Sequence, residues 1–138
     1  MPLFHFSGKR PPDLGVFGGR LTGCPAAPNC VCSDVTDTSH RIEPLILLVS
    51  ADQAWSAVRR ALNTLPRVHV VTESAGYLHA ECESAAFGFV DDLELHLRPV
   101  DGVIAVRSAS RLGYSDLGAN RRRVERLRTL LACLGVVR

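Results

Sequence analysis

Alternation of apolar and polar residues along three segments constrains the fold of this chain more than any other feature. Residues 77–83, 89–97 and 103–111 each carry apolar side chains at alternating positions. That period of two is typical of β-strands with one buried and one polar face. The polar positions are His79, Glu81, Glu83, Asp92, Glu94, His96, Arg107 and Arg111. The three segments therefore predict a sheet with one apolar, helix-covered face and one open, polar face.

The turn at residues 100–101 predicts how two of these strands pair. Adjacent antiparallel strands place their apolar side chains on the same face of the sheet. A tight turn at this point sets Leu95 opposite Val106. On the polar face it sets Glu94 opposite Arg107, so that opposite charges lie side by side.

The segment before these strands predicts another strand, a helix and a further strand. Residues 42–49 contain a continuous apolar run, which is typical of a strand that is buried on both faces. Ser50 and Gln53 then have the spacing of a capping box, and Pro66 ends the helix that they begin. Residues 67–73 predict the next strand.

A second helix is predicted over residues 117–134, near the end of the chain. Ser115 or Asp116 is placed to cap it, and Gly135 follows its last turn. Its apolar stripe consists of Leu117, Val124, Leu127, Leu131 and Leu134. The element order is β-α-β-β-β-β-α. We therefore expect an α+β domain in which an antiparallel sheet of about five strands carries two helices on one face.

The first 40 residues differ from the rest of the chain. They hold five of the eight prolines and show no sustained apolar period. We interpret residues 1–40 as a loop-rich N-terminal arm packed on the domain, and residues 41–138 as a single α+β domain. The length of 138 residues and the hydrophobic fraction of 46% suit one domain with its own core.

The sequence also bears on where the protein works. No apolar run approaches the length of a membrane span. Residues 1–12 contain Lys9, Arg10 and three prolines, and they lack the apolar core of a signal peptide. We therefore expect a soluble protein that is cytoplasmic by default and exported only if a leader was removed.

The arginines are concentrated towards the C-terminus. From Arg107 to Arg138 there are eight arginines against Asp116 and Glu125, a local charge of +6, which leaves −4 for the rest because the net charge is +2. Such asymmetry marks either an anion-binding end or two parts that neutralise each other. We favour neutralisation, since the total is close to zero.

Short segments and one long run resemble a known family. The arm contains Cys-Pro-Ala-Ala-Pro-Asn-Cys at residues 24–30. The long run covers residues 106–125 and contains Ser-Arg-Leu-Gly-Tyr-Ser-Asp-Leu-Gly-Ala-Asn followed by three arginines. Over about residues 10–134 the chain resembles the family numbered 1499 among the domains of unknown function. The resemblance implies no particular activity, because none is established for the family.

The first group that could carry chemistry combines arginines, acids and hydroxyl residues. Its members are Asp91, Asp92, Glu94, Arg107, Ser108, Ser110, Arg111, Ser115, Asp116, Asn120, Arg121 and Arg123. Arginine forks hold carboxylates or phosphates through two contacts. Arginines in the first turns of a helix oppose its dipole, so either acids of the same domain or a bound anion must offset them. Of these two interpretations we favour a structural network.

The second group lies on the predicted polar face and consists of His79, Glu81, Glu94 and His96. Imidazole and carboxylate groups could ligate a metal or act as general acid and base. No tight motif such as H-E-x-x-H supports a metal. A solvated polar face is the simpler interpretation.

The third group consists of Cys24, Cys30 and Cys32, with His40 downstream. The spacing fits no common zinc knuckle, and no base for a catalytic thiol is evident. A Cys24–Cys30 disulfide is possible if the protein is exported, and free thiols are the alternative. The odd total of five cysteines argues against a full disulfide framework. Two others, Cys82 and Cys133, lie on apolar faces and are interpreted as core.

These observations leave three classes of function. The sequence contains no P-loop and no dinucleotide-binding fingerprint, so no cofactor is identified, and the modest net charge disfavours nucleic acid as a partner. The leading hypothesis is a non-enzymatic binding or accessory domain for a small anionic molecule, held by Arg107, Arg111 and the start of the last helix. The alternatives are an enzyme that uses the His/Glu/Asp face, with or without a metal, and a protein-partner module that uses the arm.

Overall fold

The fold was obtained as a computed structural model, which describes residues 7–85 and 87–138. It contains eight strands and two helices within those ranges. In chain order they are β1 Val16–Phe17, β2 Arg20–Leu21, β3 Cys30–Cys32, β4 Leu45–Ile46, α1 Ala51–Thr64, β5 Val68–Ser74, β6 Tyr77–Glu83, β7 Val90–Arg98, β8 Val103–Ser110 and α2 Ala119–Cys133. The α+β class is confirmed.

The central sheet has six strands instead of the predicted five. Its order is β3-β8-β7-β6-β5, and β4 also pairs with β8. All of these pairings are antiparallel. The predicted register is confirmed, since Leu95 faces Val106 and Glu94 faces Arg107. The additional strand is β3, which comes from the arm and is too short to show an apolar period.

The strand predicted over residues 42–49 is reduced to Leu45 and Ile46. Only these two residues pair with β8. Beyond them, Leu47 N donates to Gly102 O at 2.9 Å, and Leu48 N donates to Val136 O near the end of the chain at 3.0 Å. The expectation of burial on both faces was wrong for Leu48, which is 55% exposed.

Both helices pack on one face of the sheet, as their apolar stripes predicted. The capping box of α1 is present, and the α1 residues Trp55, Val58 and Leu62 are buried. In α2 the stripe is shorter than predicted, and its buried apolar members are Val124, Leu127 and Leu131. The terminal stripe positions were wrong, because Leu117 and Leu134 lie outside α2 and are 84% and 60% exposed.

The other face of the sheet is covered, which corrects the prediction of an open polar face. The arm reaches this face through the pairing of β3 with β8. A small apolar cluster of Leu21, Cys32 and Ala105 forms beneath it. As a result His79 and Glu94, expected in solvent, are only 3% and 0% exposed. We call this the arm face and the opposite one the helix face.

The boundary of the arm at residue 40 stays a prediction. Residues 7–40 supply β1, β2 and β3, and the first six residues lie outside the described ranges. Neither helix among the described residues is long and apolar enough to cross a membrane.

Candidate functional site

The predicted arginine, acid and hydroxyl group is divided between the two faces of the sheet. Asp92, Glu94, Arg107 and Arg111 belong to the arm face, where they bond to one another or to the arm. Asp91, Ser108, Ser110, Asn120 and Arg123 belong to the helix face. Ser115 and Asp116 precede α2, and Arg121 donates to the backbone carbonyls of Ser39 and Arg41. The structure therefore does not bring the group together in one site.

On the helix face, Asn120 links β8 to the start of α2. It is fully buried, and its Nδ2 donates to Ser110 Oγ at 2.9 Å. Its Oδ1 accepts from Ser108 Oγ at 2.7 Å and from Arg123 Nη1 at 2.8 Å. Arg123 also pairs with Asp91, with Nη2 2.8 Å from Oδ2. Because these polar groups satisfy one another, they form a structural network.

The carboxylate of Asp116 occupies the N-terminus of α2. Its oxygens accept from the backbone N–H groups of Gly118 at 2.7 Å and Asn120 at 3.1 Å. Burial alone would raise the pKa of Asp116, but these hydrogen bonds and that of the Asn120 side chain hold it below its ordinary value. Asp116 therefore occupies the position at the start of α2 where a bound anion was the alternative interpretation. Its negative charge offsets the arginines in the first turns of the helix.

On the arm face, Glu94 is a fully buried carboxylate with partners on two strands and in the arm. Its Oε1 accepts from Tyr77 Oη at 2.7 Å and from the backbone N–H of Gly15 at 2.8 Å. Its Oε2 accepts from Arg107 Nη1 at 3.3 Å. Burial and the bond to Glu94 together raise the pKa of the Tyr77 hydroxyl, which therefore stays protonated. Glu94 consequently anchors the arm to the sheet.

Arg111 neutralises the other acids of the arm face. Its Nε and Nη2 each donate to Asp92 at 2.8 Å, and Nη2 also bonds to Glu81. Asp92 further contacts His79 Nε2 at 2.7 Å, and Arg10 of the arm donates to Glu81 at 2.8 Å. The bonds of Arg111 thus join a C-terminal arginine to acids elsewhere in the chain. This is the internal neutralisation that the near-zero net charge favoured.

Two of the candidate metal ligands, His79 and Glu81, lie together with Asp92. His79, Glu81 and Asp92 offer ligand atoms within 4.8 Å of one another. The Arg111 guanidinium already bonds both carboxylates, and a cation would have to compete with it. His96 lies apart and accepts a hydrogen bond from Arg98 Nε at 3.1 Å. The arrangement is therefore better suited to an internal salt bridge than to a metal.

A cleft of about 350 Å³ separates part of the arm from these charged residues. Its lining includes Asp92 and Arg107 of the sheet and Gly23 and Cys24 of the arm. Arg107 donates from Nε and Nη2 to the Gly23 carbonyl at 3.3 and 3.2 Å. A disulfide joins Cys24 to Cys30, with an S–S distance of 2.10 Å. Among the charges that border this cleft, Asp92 and Arg107 are thus already bound by the protein, and Asp13 adds a further carboxylate.

Two of the remaining cysteines, Cys32 and Cys82, are poor candidates for reactive thiols. Burial raises the pKa of Cys32, which keeps the buried thiol protonated. Burial raises the pKa of Cys82 to about 11. Cys133 is exposed, so its assignment to the core was wrong.

A groove on the helix face gathers arginines that sequence reasoning did not connect. It has a volume of about 210 Å³. Its lining consists of Leu65, Pro66, Arg67, Val68, Cys82, Glu83, Ala119, Arg122, Arg123 and Arg126. Four arginines and one glutamate give these side chains a formal charge of +3. We call this site the arginine groove.

The arginines of the groove differ in how they are bound. Arg123 is held by Asp91, and Arg122 Nη1 donates to the Leu117 carbonyl at 2.8 Å. Within the part of the chain that the structure describes, neither Arg67 nor Arg126 forms an ion pair or a side-chain hydrogen bond. Both are exposed. Two guanidinium groups therefore face the groove without a carboxylate partner.

Sequence reasoning missed Arg67 and Arg126 because the groove forms only in the folded chain. Arg67 lies in the turn between α1 and β5, and Arg126 lies one turn beyond Arg122 on α2. The sequence does contain one indication of the groove. Arg122 and Arg126 are four residues apart, which places their side chains on the same side of a helix.

Comparison with known proteins agrees with the resemblance seen in the sequence. The family model described as "Protein of unknown function (DUF1499)" matches residues 20–131, most of the chain. No curated protein and no solved structure matches it. The chain belongs to the DUF1499 family of proteins of unknown function.

Proposed function

We propose that this protein is a non-enzymatic binding domain for a small, anionic, partly apolar molecule, which it holds in the arginine groove. One observation carries the proposal. Arg67, Arg122 and Arg126 converge on one concave site, and none of them is paired with a carboxylate among the described residues. Guanidinium groups in a partly desolvated groove are well suited to phosphate or carboxylate groups.

The walls of the groove favour a ligand that also has an apolar part. Leu65 and Val68 are partly buried and pack against the main core, and Pro66 lies between them. A volume of about 210 Å³ is smaller than that of most sites for drug-sized ligands. It suits a single charged group with a short hydrocarbon segment.

Backbone strain at Arg67 supports a role for its side chain. The residue has a φ of +57°, a left-handed conformation that is costly for an arginine. Strained residues of this kind cluster at ligand sites, where the surrounding structure holds them in place. The surrounding structure therefore holds the backbone of Arg67 at the edge of the groove despite this cost.

The binding position differs from the one first expected from the sequence. Arg107 and Arg111 are almost fully buried and already bind Glu94, Asp92 and Glu81. An incoming anion would have to displace these carboxylates, at a cost of several kcal/mol. The free guanidinium groups of the arginine groove carry no such cost. The start of α2, which contributes Arg122, remains part of the proposed site.

Titration calorimetry with octyl phosphate, an anion with a short apolar chain, tests the proposal. We expect binding by the wild-type protein and about tenfold weaker binding for Arg67→Gln and for Arg126→Gln, since each removes a charge-assisted contact. The matched control is Arg60→Gln. Arg60 is an exposed arginine of α1 that is not among the residues lining the groove, and among the described residues its side chain bonds to Ser56.

Two results would contradict the proposal. One is an absence of octyl phosphate binding by the wild-type protein. The other is an equal loss of affinity in the control and in the two groove variants, which would indicate a general effect of surface charge.

A further inference from the structure

Three connecting segments meet at the end of the sheet where the arginine groove lies. Glu83 N donates to Arg67 O at 2.9 Å, which joins the turn before β5 to the end of β6. Arg111 N donates to Val90 O at 3.4 Å, which joins the end of β8 to the start of β7. The described residues of the loop after β6, 84–85 and 87–89, and the loop 111–118 therefore lie beside the groove, at the same end of the domain.

These two loops expose a group of large apolar side chains. They are Phe87 at 48%, Phe89 at 42%, Leu112 at 44%, Tyr114 at 75% and Leu117 at 84% exposure. The rings of Phe87 and Phe89 lie 6.0 Å apart. Scattered single hydrophobic residues are common on protein surfaces, but a concentration on neighbouring loops marks an interaction site.

The backbone holds Leu117 in this exposed position at an energetic cost. Its φ is +54°, a conformation that leucine rarely adopts. The loop is nevertheless fixed, because Leu117 N donates to Ser115 Oγ at 3.2 Å and Asp116 bonds the following backbone N–H groups. The fold thus keeps an apolar side chain in solvent despite the unfavourable backbone conformation of Leu117.

Positive charge borders the exposed apolar residues directly. Arg122 donates to the carbonyl of Leu117 at 2.8 Å, which sets a guanidinium beside the most exposed leucine. Arg67 and Arg126 extend this charge around the groove. The acids at this end are largely engaged, because Asp91 pairs with Arg123 and Asp116 caps α2.

We propose that this end of the domain docks on an anionic lipid surface, and that the molecule held in the arginine groove is the headgroup of an anionic lipid. The inference rests on the proposed function of the groove. Apolar and aromatic side chains on loop tips, bordered by arginines, match the interface of an anionic bilayer. A protein partner would be better served by a flat, continuous apolar face than by separate loop tips around a charged groove.

Flotation with lipid vesicles tests the docking. We expect the protein to float with vesicles of phosphatidylcholine containing about one third phosphatidylglycerol, and to remain behind with phosphatidylcholine alone. The double variant Tyr114→Ser with Leu117→Asn should partition about tenfold less, because it removes two exposed apolar groups. Val100→Asn is the control, since Val100 is 101% exposed but lies in the turn at the opposite end of the sheet.

The charge component is tested separately. Arg122→Gln should weaken partitioning to the anionic vesicles about fivefold, and added salt should reduce binding by the wild type. Arg60→Gln, on α1 and outside the groove lining, should have little effect.

The outcome for soluble octyl phosphate separates this inference from the proposed function. Binding of octyl phosphate together with vesicle binding that depends on Tyr114 and Leu117 supports both. Octyl phosphate binding without vesicle binding overturns the lipid inference and leaves the groove as a site for a soluble anion. Vesicle binding without octyl phosphate binding contradicts the proposed function. Vesicle binding that is unaffected by Arg122→Gln overturns the assignment of the lipid headgroup to the arginine groove.

Discussion

Arg111 and Asp92 form a two-point ion pair beneath the arm, with Nε and Nη2 each 2.8 Å from a carboxylate oxygen. Their side chains are 6% and 1% exposed. Replacing Arg111 by Leu would leave Asp92 buried without its main partner, and we expect a loss of about 3–5 kcal/mol in the free energy of unfolding. Urea denaturation measures this loss.

The matched comparison is Arg59→Leu. Arg59 also pairs with an acid, Glu73, but the two side chains are 47% and 32% exposed. Exposed pairs contribute about 0–1 kcal/mol, so this variant should remain close to the wild type. Similar losses in the two variants would contradict the prediction, because they would show that burial does not increase the contribution of the Arg111–Asp92 pair to the free energy of unfolding.

Acid should destabilise the protein through the same network. Burial alone would raise the pKa of Asp92, but hydrogen bonds from Arg111 and His79 hold it below its ordinary value. The pKa of Glu81 is lowered in the same way, with burial outweighed by the bonds from Arg111 and Arg10. Groups with a lowered pKa in the folded state stabilise it above the pKa of the unfolded chain, and this contribution is lost as pH falls through the folded value.

We therefore expect the free energy of unfolding to decrease as pH falls below about 4, the pKa range of unfolded carboxylates. Asp91 acts in the opposite sense, because burial raises its pKa against the effect of Arg123. Denaturation curves recorded from pH 6 to pH 2 would show which contribution prevails. A stability that stays constant or rises below pH 4 would contradict the prediction.

The disulfide between Cys24 and Cys30 should stabilise the arm over the sheet. It closes the short loop of residues 24–30, which begins directly after Gly23 and leads into β3. Reduction should lower stability by about 2 kcal/mol, by the loop-closure argument for so short a loop. Thermal denaturation with and without reductant measures this effect. Cys133→Ser is the control, because Cys133 is an exposed free thiol, and this variant should respond to reductant as the wild type does.

Replacement of Leu117 by Asn should stabilise the fold. Asparagine tolerates the left-handed conformation, so the variant should gain about 1 kcal/mol while losing an exposed apolar group. Leu112→Asn removes a similar exposed side chain without relieving a positive φ, and should change stability by less than about 0.5 kcal/mol. A loss of stability for Leu117→Asn would mean that the leucine side chain has a packing role.

The strands and their register were predictable because side-chain alternation is a local signal. The turn at residues 100–101 and the odd and even positions of β7 and β8 sufficed to pair Leu95 with Val106. The same alternation could have separated Asp91 from Asp92, and Ser108 from Arg107, before the structure was known. Grouping them by charge alone placed residues of opposite faces in one candidate site.

The covering of the polar face could not be predicted from local signals. β3 has three residues, all buried, and its pairing with β8 joins positions more than 70 residues apart. That pairing turned a face expected in solvent into a buried ionic network. The arginine groove has the same origin, since Arg67 and Arg126 become neighbours only when the turn after α1 meets α2.

The most direct test of the central claim is to locate octyl phosphate on the protein by ¹⁵N NMR titration. The proposed function predicts that the largest amide shifts fall on the residues that line the arginine groove, among them Arg67, Cys82, Arg122 and Arg126, and that Arg126→Gln reduces them. Shifts centred instead on Gly23, Cys24 and Arg107 would move the site to the arm face, and an unchanged spectrum would remove the anion-binding claim.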